Sequence, residues 1–287
     1  MMLSLALIKL MAIFCANFIT PFEFAVPYFI RNINPVMRIV IIGTGNTATV
    51  LGRLFHGAGH TILQVVGRTS THLKQLGNIL RSTITSNPKE LNTEGDLYII
   101  AVSDNAISQV ASWLRVDKKL VVHTAGSVDI EIISGCSKNY GVLYPLQSLR
   151  KEMDELPHVP FLVEGNTKDD GALIHDLAST ISGNVKFATG HQRLMTHIAA
   201  IMVSNFTNHL YSIAEEFCVK ENIDFGLLKP LIIETAQRIQ TMSPSVVQTG
   251  PAIRKDIHTL DKHLRLLTAY PKLKTTYLRL TDSIMNP

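Results

Sequence analysis

Met37-Arg-Ile-Val-Ile-Ile-Gly-Thr-Gly-Asn-Thr-Ala48 is the stretch that decides the fold. Arg38 to Ile42 is an apolar run of strand length with no alternation, so both of its faces are buried, as in a parallel sheet. A glycine turn, Gly43-Thr44-Gly45, follows at once. Asn46 to Phe55 then has helical spacing, closed by Gly57 and Gly59. A second apolar strand, Ile62 to Val66, comes next. Strand, turn, helix and strand at this spacing make one βαβ unit.

The turn reads G-x-G-x-x-A. Gly43 permits the tight bend, Gly45 lets a ligand approach the backbone, and Ala48 keeps the helix close to the strand. Thr44, Asn46 and Thr47 complete the turn. The free N–H groups and dipole at the helix start attract phosphate, so the pattern predicts a dinucleotide pyrophosphate above this turn. The end of the second strand decides between NAD and NADP. An NAD site places an acidic residue there for the ribose hydroxyls. This chain has Gly67-Arg68-Thr69-Ser70 instead. Arg68 can pair with a 2′-phosphate and lie along the adenine face, and Thr69 and Ser70 can donate hydrogen bonds, which predicts NADP.

Working outward, the alternation continues. A short helix is expected near 71–76, a weak strand near 82–85, a strong strand over 96–102 and its helix over 105–114. Further strands are expected at 119–123, 141–144 and 160–164. The fold class is α/β, a doubly wound parallel Rossmann sheet. After about Phe187 the pattern changes. Leu194, Ile198, Ile201, Met202, Phe206, Leu210, Ile213 and Phe217 have helical spacing, and 223–240, 257–267 and 273–284 look helical too. The boundaries read as 1–36, a leader; 37–188, the Rossmann domain; and 189–287, an all-helical domain.

The leader is apolar, but Lys9, Pro21, Glu23 and Pro27 interrupt it, leaving fewer than the roughly 20 clean residues of a spanning helix. It reads as an upstream extension of a chain starting at Met37, as a membrane-associated segment, or as a real extra element. Expression from Met37 is expected to leave melting temperature and cofactor affinity unchanged. A net charge of +4 with scattered lysines and arginines suits an anionic small molecule and predicts no nucleic-acid surface. Three cysteines without metal spacing suggest neither a metal nor a disulfide framework, and a cytoplasmic setting is the default.

Gly43-Thr-Gly45-Asn, Gly67-Arg68-Thr69 and Ala101-Val102-Ser103-Asp104 resemble the 6-phosphogluconate-dehydrogenase-like Rossmann proteins. That group includes β-hydroxyacid dehydrogenases, pyrroline-5-carboxylate reductases and deazaflavin-dependent NADP oxidoreductases. His123-Thr-Ala-Gly-Ser127, Tyr144-Pro-Leu-Gln147-Ser148, His197 through Asn205, and Gln248-Thr-Gly-Pro251-Ala-Ile-Arg254-Lys-Asp256 are similar to bacterial members whose helical C-terminal domain is one of unknown function. The resemblance covers Met37 to about Ile284. It implies an NADP-binding domain, a helical domain and a homodimer, and it supplies no reaction. β-Hydroxyacid dehydrogenases carry a lysine and, four residues on, an asparagine on the first long helix after the sheet. Here that helix has His197 and Ile201, so a plain assignment to that subfamily is unsupported.

Ligands of doubly wound sheets lie beyond the carboxyl ends of the strands. Val102, Ser103 and Asp104 would pass beside the cofactor, and His123 to Ser127 would border the nicotinamide. His123 is either a site residue or a hydrogen-bonded structural histidine. Ser127 is either a site residue or the N-cap of the next segment. At 3.6 residues per turn His197 and Asn205 differ by roughly 80°, close enough to border one cleft. His197 is either a proton donor and acceptor or a satisfied core histidine. Arg254 suits a carboxylate or phosphate, while Asp256 either holds Arg254 or caps the helix from Ile257. These residues predict an NADP-dependent oxidoreductase acting on a small, anionic substrate in an interdomain cleft. The rival is a non-catalytic protein that senses or sequesters NADP(H).

Overall fold

A computed structural model describes residues 36–287, so the leader at 1–36 lies, except for its last residue, outside the described residues. The described chain forms two compact units that divide between Gly190 and His191.

The first unit is built on one eight-stranded sheet in the order β3-β2-β1-β4-β5-β6-β7-β8. Its strands are β1 (Arg38–Ile42), β2 (Thr61–Val66), β3 (Thr83–Thr85), β4 (Leu97–Ile100), β5 (Leu120–His123), β6 (Asn139–Pro145), β7 (Phe161–Gly165) and β8 (Val185–Phe187). All neighbours are parallel except β6 and β7. The helices are α1 (Asn46–Gly57), α2 (Ser70–Leu80), α3 (Asp104–Trp113) and α4 (Lys168–Ser179). The strand order reverses between β1 and β4, the crevice where such sheets bind ligands.

The uninterrupted apolar runs have a direct cause. Ile39 and Ile41 of β1 join one core layer with Ala48, Leu51 and Phe55 of α1 and Leu73, Leu76 and Leu80 of α2. Val40 and Ile42 point the other way and pack with Ile107 and Val110 of α3. Both faces are thus covered by helices. Two elements were not read from the sequence, α4 and β8. Here α4 joins β7 to its parallel neighbour β8, which extends the sheet by one strand.

The entry to β1 is pinned by polar contacts. Arg38 donates from its backbone N–H, Nε and Nη2 to the Asp96 carboxylate at 3.0, 3.1 and 2.9 Å. These bonds hold the Asp96 carboxyl below its usual range. His60, only 5% exposed, accepts the Met37 N–H on Nδ1 at 3.2 Å. Its Nε2 lies 3.0 Å from Thr180 Oγ1, whose own proton goes to the Leu177 carbonyl. Nδ1 therefore accepts and Nε2 donates, which is the neutral ring. Burial lowers the His60 pKa from 6.5. An unfolded histidine takes a proton more readily than this one, so the stability His60 contributes is complete above about pH 6.5 and declines as pH falls below it. His60→Asn, which keeps an acceptor near Nδ1, is expected to flatten the fall in melting temperature between about pH 7 and pH 5. An unchanged slope would assign that fall to other groups.

The second unit is helical among its described residues. Helix α5 (Gly190–Ala200) runs through a π-helical segment, Ile201–Phe206, into α6 (Thr207–Lys220). Then come a 3-10 turn at Phe225–Leu228, α7 (Lys229–Arg238), α8 (Ile257–Leu266) and α9 (Pro271–Met285). Along this stretch Met195, Ile198, Met202, Val203 and Phe206 are all exposed, Val203 at 75%. Among the described residues, no helix is long and apolar enough to cross a membrane.

Candidate functional site

A cavity of about 550 Å³ opens at the switch point of the sheet. Its floor is the β1–α1 turn, Gly43 to Thr47. One side is Gly67, Arg68 and Thr69 after β2, with Ser86 and Pro88 after β3. The other is Ala101, Val102 and Ser103 after β4, with Ala106, Gln109, Val110 and Trp113 on α3.

The turn is shaped by its glycines. Gly43 has φ +132°, and a Cβ there would lie 2.0 Å from the Ala101 carbonyl oxygen. Only glycine lets β1 leave the sheet this close to the exit of β4. Gly45 has ordinary backbone angles, and a Cβ there would meet nothing within 4 Å. Its missing side chain leaves room for a ligand, not for protein. Gly45 is also the N-cap of α1, and no side chain caps the helix. Asn46 Oδ1 instead accepts the Lys151 N–H at 3.3 Å. The start of α1, with its dipole, therefore suits an anion.

Arg68 is exposed on the cavity wall, and no lining residue is acidic. A phosphate beside Arg68 would meet a cation and no opposing carboxylate. The residues fit a phosphorylated dinucleotide. The open face at Gly45 would take the pyrophosphate, and Arg68 with Thr69 would take the 2′-phosphate.

Two family models match the chain. Residues 38–126 match the NADP oxidoreductase, coenzyme F420-dependent family, and residues 159–284 match a domain of unknown function, DUF2520. The second match begins before β7, so it takes in the last strands of the sheet as well as the helical unit. A Bacteroides fragilis protein assigned as an NADP oxidoreductase is 35% identical, over 88% of this chain and 98% of its own, with a TM-score of 0.82. The chain belongs to this NADP oxidoreductase family. A pyrroline-5-carboxylate reductase of Streptococcus pyogenes (14% identity, 88% of this chain and 99% of that one, TM-score 0.59) shares the fold. So does an Aspergillus terreus reductive aminase in complex with NADPH and ethyl levulinate (16% identity, 87% and 92%, TM-score 0.61). No curated protein matches the chain.

NADP is the cofactor of the family. Of the residues singled out for it, Gly43, Thr44, Gly45, Asn46, Thr47, Arg68, Thr69, Val102 and Ser103 line the cavity together. Ala48 lies in the core layer under α1, fully buried, and keeps the helix on the sheet. Ser70 is the exposed first residue of α2, and Asp104 is the exposed first residue of α3, both off the lining. The α3 wall went unread, although 106, 109, 110 and 113 repeat at one-face helical spacing.

Of the candidate catalytic residues, His123 and Ser127 belong to the first unit and His197, Asn205, Arg254 and Asp256 to the second. His123 ends β5 with no exposed surface, and its Nδ1 accepts the Ala125 N–H at 3.2 Å. Ser127 does not cap the next segment. Asp129 does, accepting the Glu131 N–H at 2.8 Å. Ser127 Oγ donates to Asp104 Oδ2 at 2.6 Å, tying the loop after β5 to the start of α3. His197 is half-buried on α5, and Asn205 is exposed in the π-helical segment. That segment corrects the 80° estimate. A π-turn absorbs about one extra residue, so the two positions come within roughly 20° of one another. Arg193, one turn before His197, is 1% exposed and was not singled out from the sequence. Arg254 is exposed in the turn before α8. Asp256 caps that helix, accepting the Thr259 N–H at 3.1 Å and the Thr259 hydroxyl at 2.7 Å. Those two bonds, with the nearby Arg254 charge, hold its pKa below the carboxylate norm.

Proposed function

We propose that this chain is an NADP-dependent oxidoreductase that reduces or oxidises a small, anionic substrate. The observation that carries this reading is the switch-point cavity, with an open glycine face at Gly45, Arg68 on its wall and no acidic lining residue. When bound, NADP supplies or accepts the hydride. The β1–α1 turn and Arg68 hold and orient it. His197 gives or takes the proton of the substrate's oxygen or nitrogen. Arg254 attracts the substrate's negative group.

Support for a homodimer comes from the helical unit. Met195, Ile198, Met202 and Phe206 recur along one face of a continuous helical stretch and are all more than 40% exposed. A second copy is the natural cover for such an apolar stripe. Sedimentation at micromolar concentration is expected to show a dimer, and a monomer alone would remove this part of the reading.

Decay of NADPH fluorescence with a panel of oxo acids, imines and aldehydes tests the activity. His197→Ala and Arg254→Ala are expected to lower turnover about tenfold or more while NADPH binding stays near native. Native turnover in both variants would take both residues out of the chemistry. Binding of NADPH with no turnover across the panel would favour the non-catalytic, sensing alternative.

A further inference from the structure

Helix α3 does more than cover the sheet. Ala106, Gln109, Val110 and Trp113 stand at i, i+3, i+4 and i+7 and line the cavity along one helical face. That face extends about 10 Å from the start of α3 to its end. The phosphate-binding features lie at the other side, in the β1–α1 turn and at Arg68. Something other than phosphate must meet the α3 wall. Its chemistry is an apolar strip at Ala106 and Val110, one amide at Gln109, and an indole at Trp113 that is half-buried against the core layer. An indole held by packing on one side and facing a cavity on the other is a preformed stacking surface, with little side-chain freedom to lose on binding.

We infer that Trp113 is the residue that receives the adenine ring of the cofactor, with Gln109 beside it at the polar edge of the base. The inference rests on reading the cavity as the NADP site. It adds a contact to the base from α3 that the glycine turn does not provide. Affinity then divides along the cavity: the turn holds the pyrophosphate, Arg68 the 2′-phosphate, and Trp113 the base.

Trp113 is the chain's single tryptophan, so the native protein carries its own reporter. Adenosine 2′,5′-bisphosphate has the base and the 2′-phosphate but no nicotinamide. Nicotinamide mononucleotide has no adenine. With the full chain excited where tyrosine does not absorb, the bisphosphate is expected to change Trp113 emission along the same binding curve that calorimetry gives. The mononucleotide is expected to leave it unchanged. Trp113→Ala is expected to weaken the bisphosphate about tenfold, the range of a lost base–aromatic stack. Trp113→Phe keeps a ring in the core layer and is expected to stay within about threefold of native. Calorimetric binding of the bisphosphate with unmoved Trp113 emission would overturn the inference, as would native affinity in Trp113→Ala. Failure of both the bisphosphate and NADPH to bind would overturn the cofactor reading itself, and this inference with it.

Discussion

Gly43→Ala is expected to cost the protein a large share of its stability. Two independent effects act at this residue. Its φ of +132° is a conformation that side-chain-bearing residues rarely adopt, and holding one there costs about 1–3 kcal/mol. The added Cβ would also lie 2.0 Å from the oxygen and 2.7 Å from the carbon of the Ala101 carbonyl. Both are backbone atoms at the exit of β4, so the strands must part or the turn must rebuild. The sum is expected to exceed about 3 kcal/mol, a large share of the roughly 5–15 kcal/mol of a typical domain. Gly45→Ala is the matched control. Its Cβ meets nothing within 4 Å and its backbone angles are ordinary, so the fold is expected to survive. The new methyl group would stand where the pyrophosphate approaches, so NADPH affinity is expected to fall. Denaturant unfolding and NADPH titration of the two variants check this. Native stability in Gly43→Ala, or native affinity in Gly45→Ala, would contradict the description of the turn.

Arg68→Ala is expected to separate the two nicotinamide cofactors. Arg68 lines the cavity and is exposed, so its removal leaves no hole in the core. A charge-assisted contact of this kind is worth about 1.5–3 kcal/mol, or about ten- to a hundredfold in NADPH affinity. NADH has no 2′-phosphate and is expected to bind the variant and the native chain alike. The titrations need one fixed ionic strength, because an exposed charge pair is screened by salt. An equal loss for both cofactors would place Arg68 elsewhere than at the 2′-phosphate.

Much of the first unit was legible because its strands are buried on both faces. Arg38 to Ile42, Ile62 to Val66 and 96–102 stand out as unbroken apolar runs, and β1, β2 and β4 lie there. The weak reading at 82–85 also has its strand, β3. Helix α4 was missed because Lys168-Asp-Asp-Gly-Ala opens with charges and a glycine, and only Ile174, Leu177 and Ala178 of its later turns reach the core layer. Strand β8 has three residues, with Lys186 and Phe187 exposed, too short for any periodicity to register. The π-helical segment at Ile201–Phe206 leaves the apolar spacing of its helix looking regular, so only coordinates reveal the change of phase. The glycine turn and Arg68 could be singled out because these residues announce their chemistry locally, and they do line one cavity. The Trp113 half could not, because its residues acquire meaning only when α3 folds back beside the turn. Ser127 illustrates the same limit. A serine two residues before Asp129 is a plausible cap, but which of them caps depends on where the segment turns.

We propose that the switch-point cavity holds NADP through the Gly43–Thr47 turn and Arg68. The most direct test is a titration of the native full chain with NADPH and NADH under one buffer, followed by nicotinamide fluorescence. NADPH is expected to bind at least about tenfold more tightly than NADH, the lower end of one charge-assisted contact. Equal affinities for the two cofactors, or binding of neither, would contradict the account.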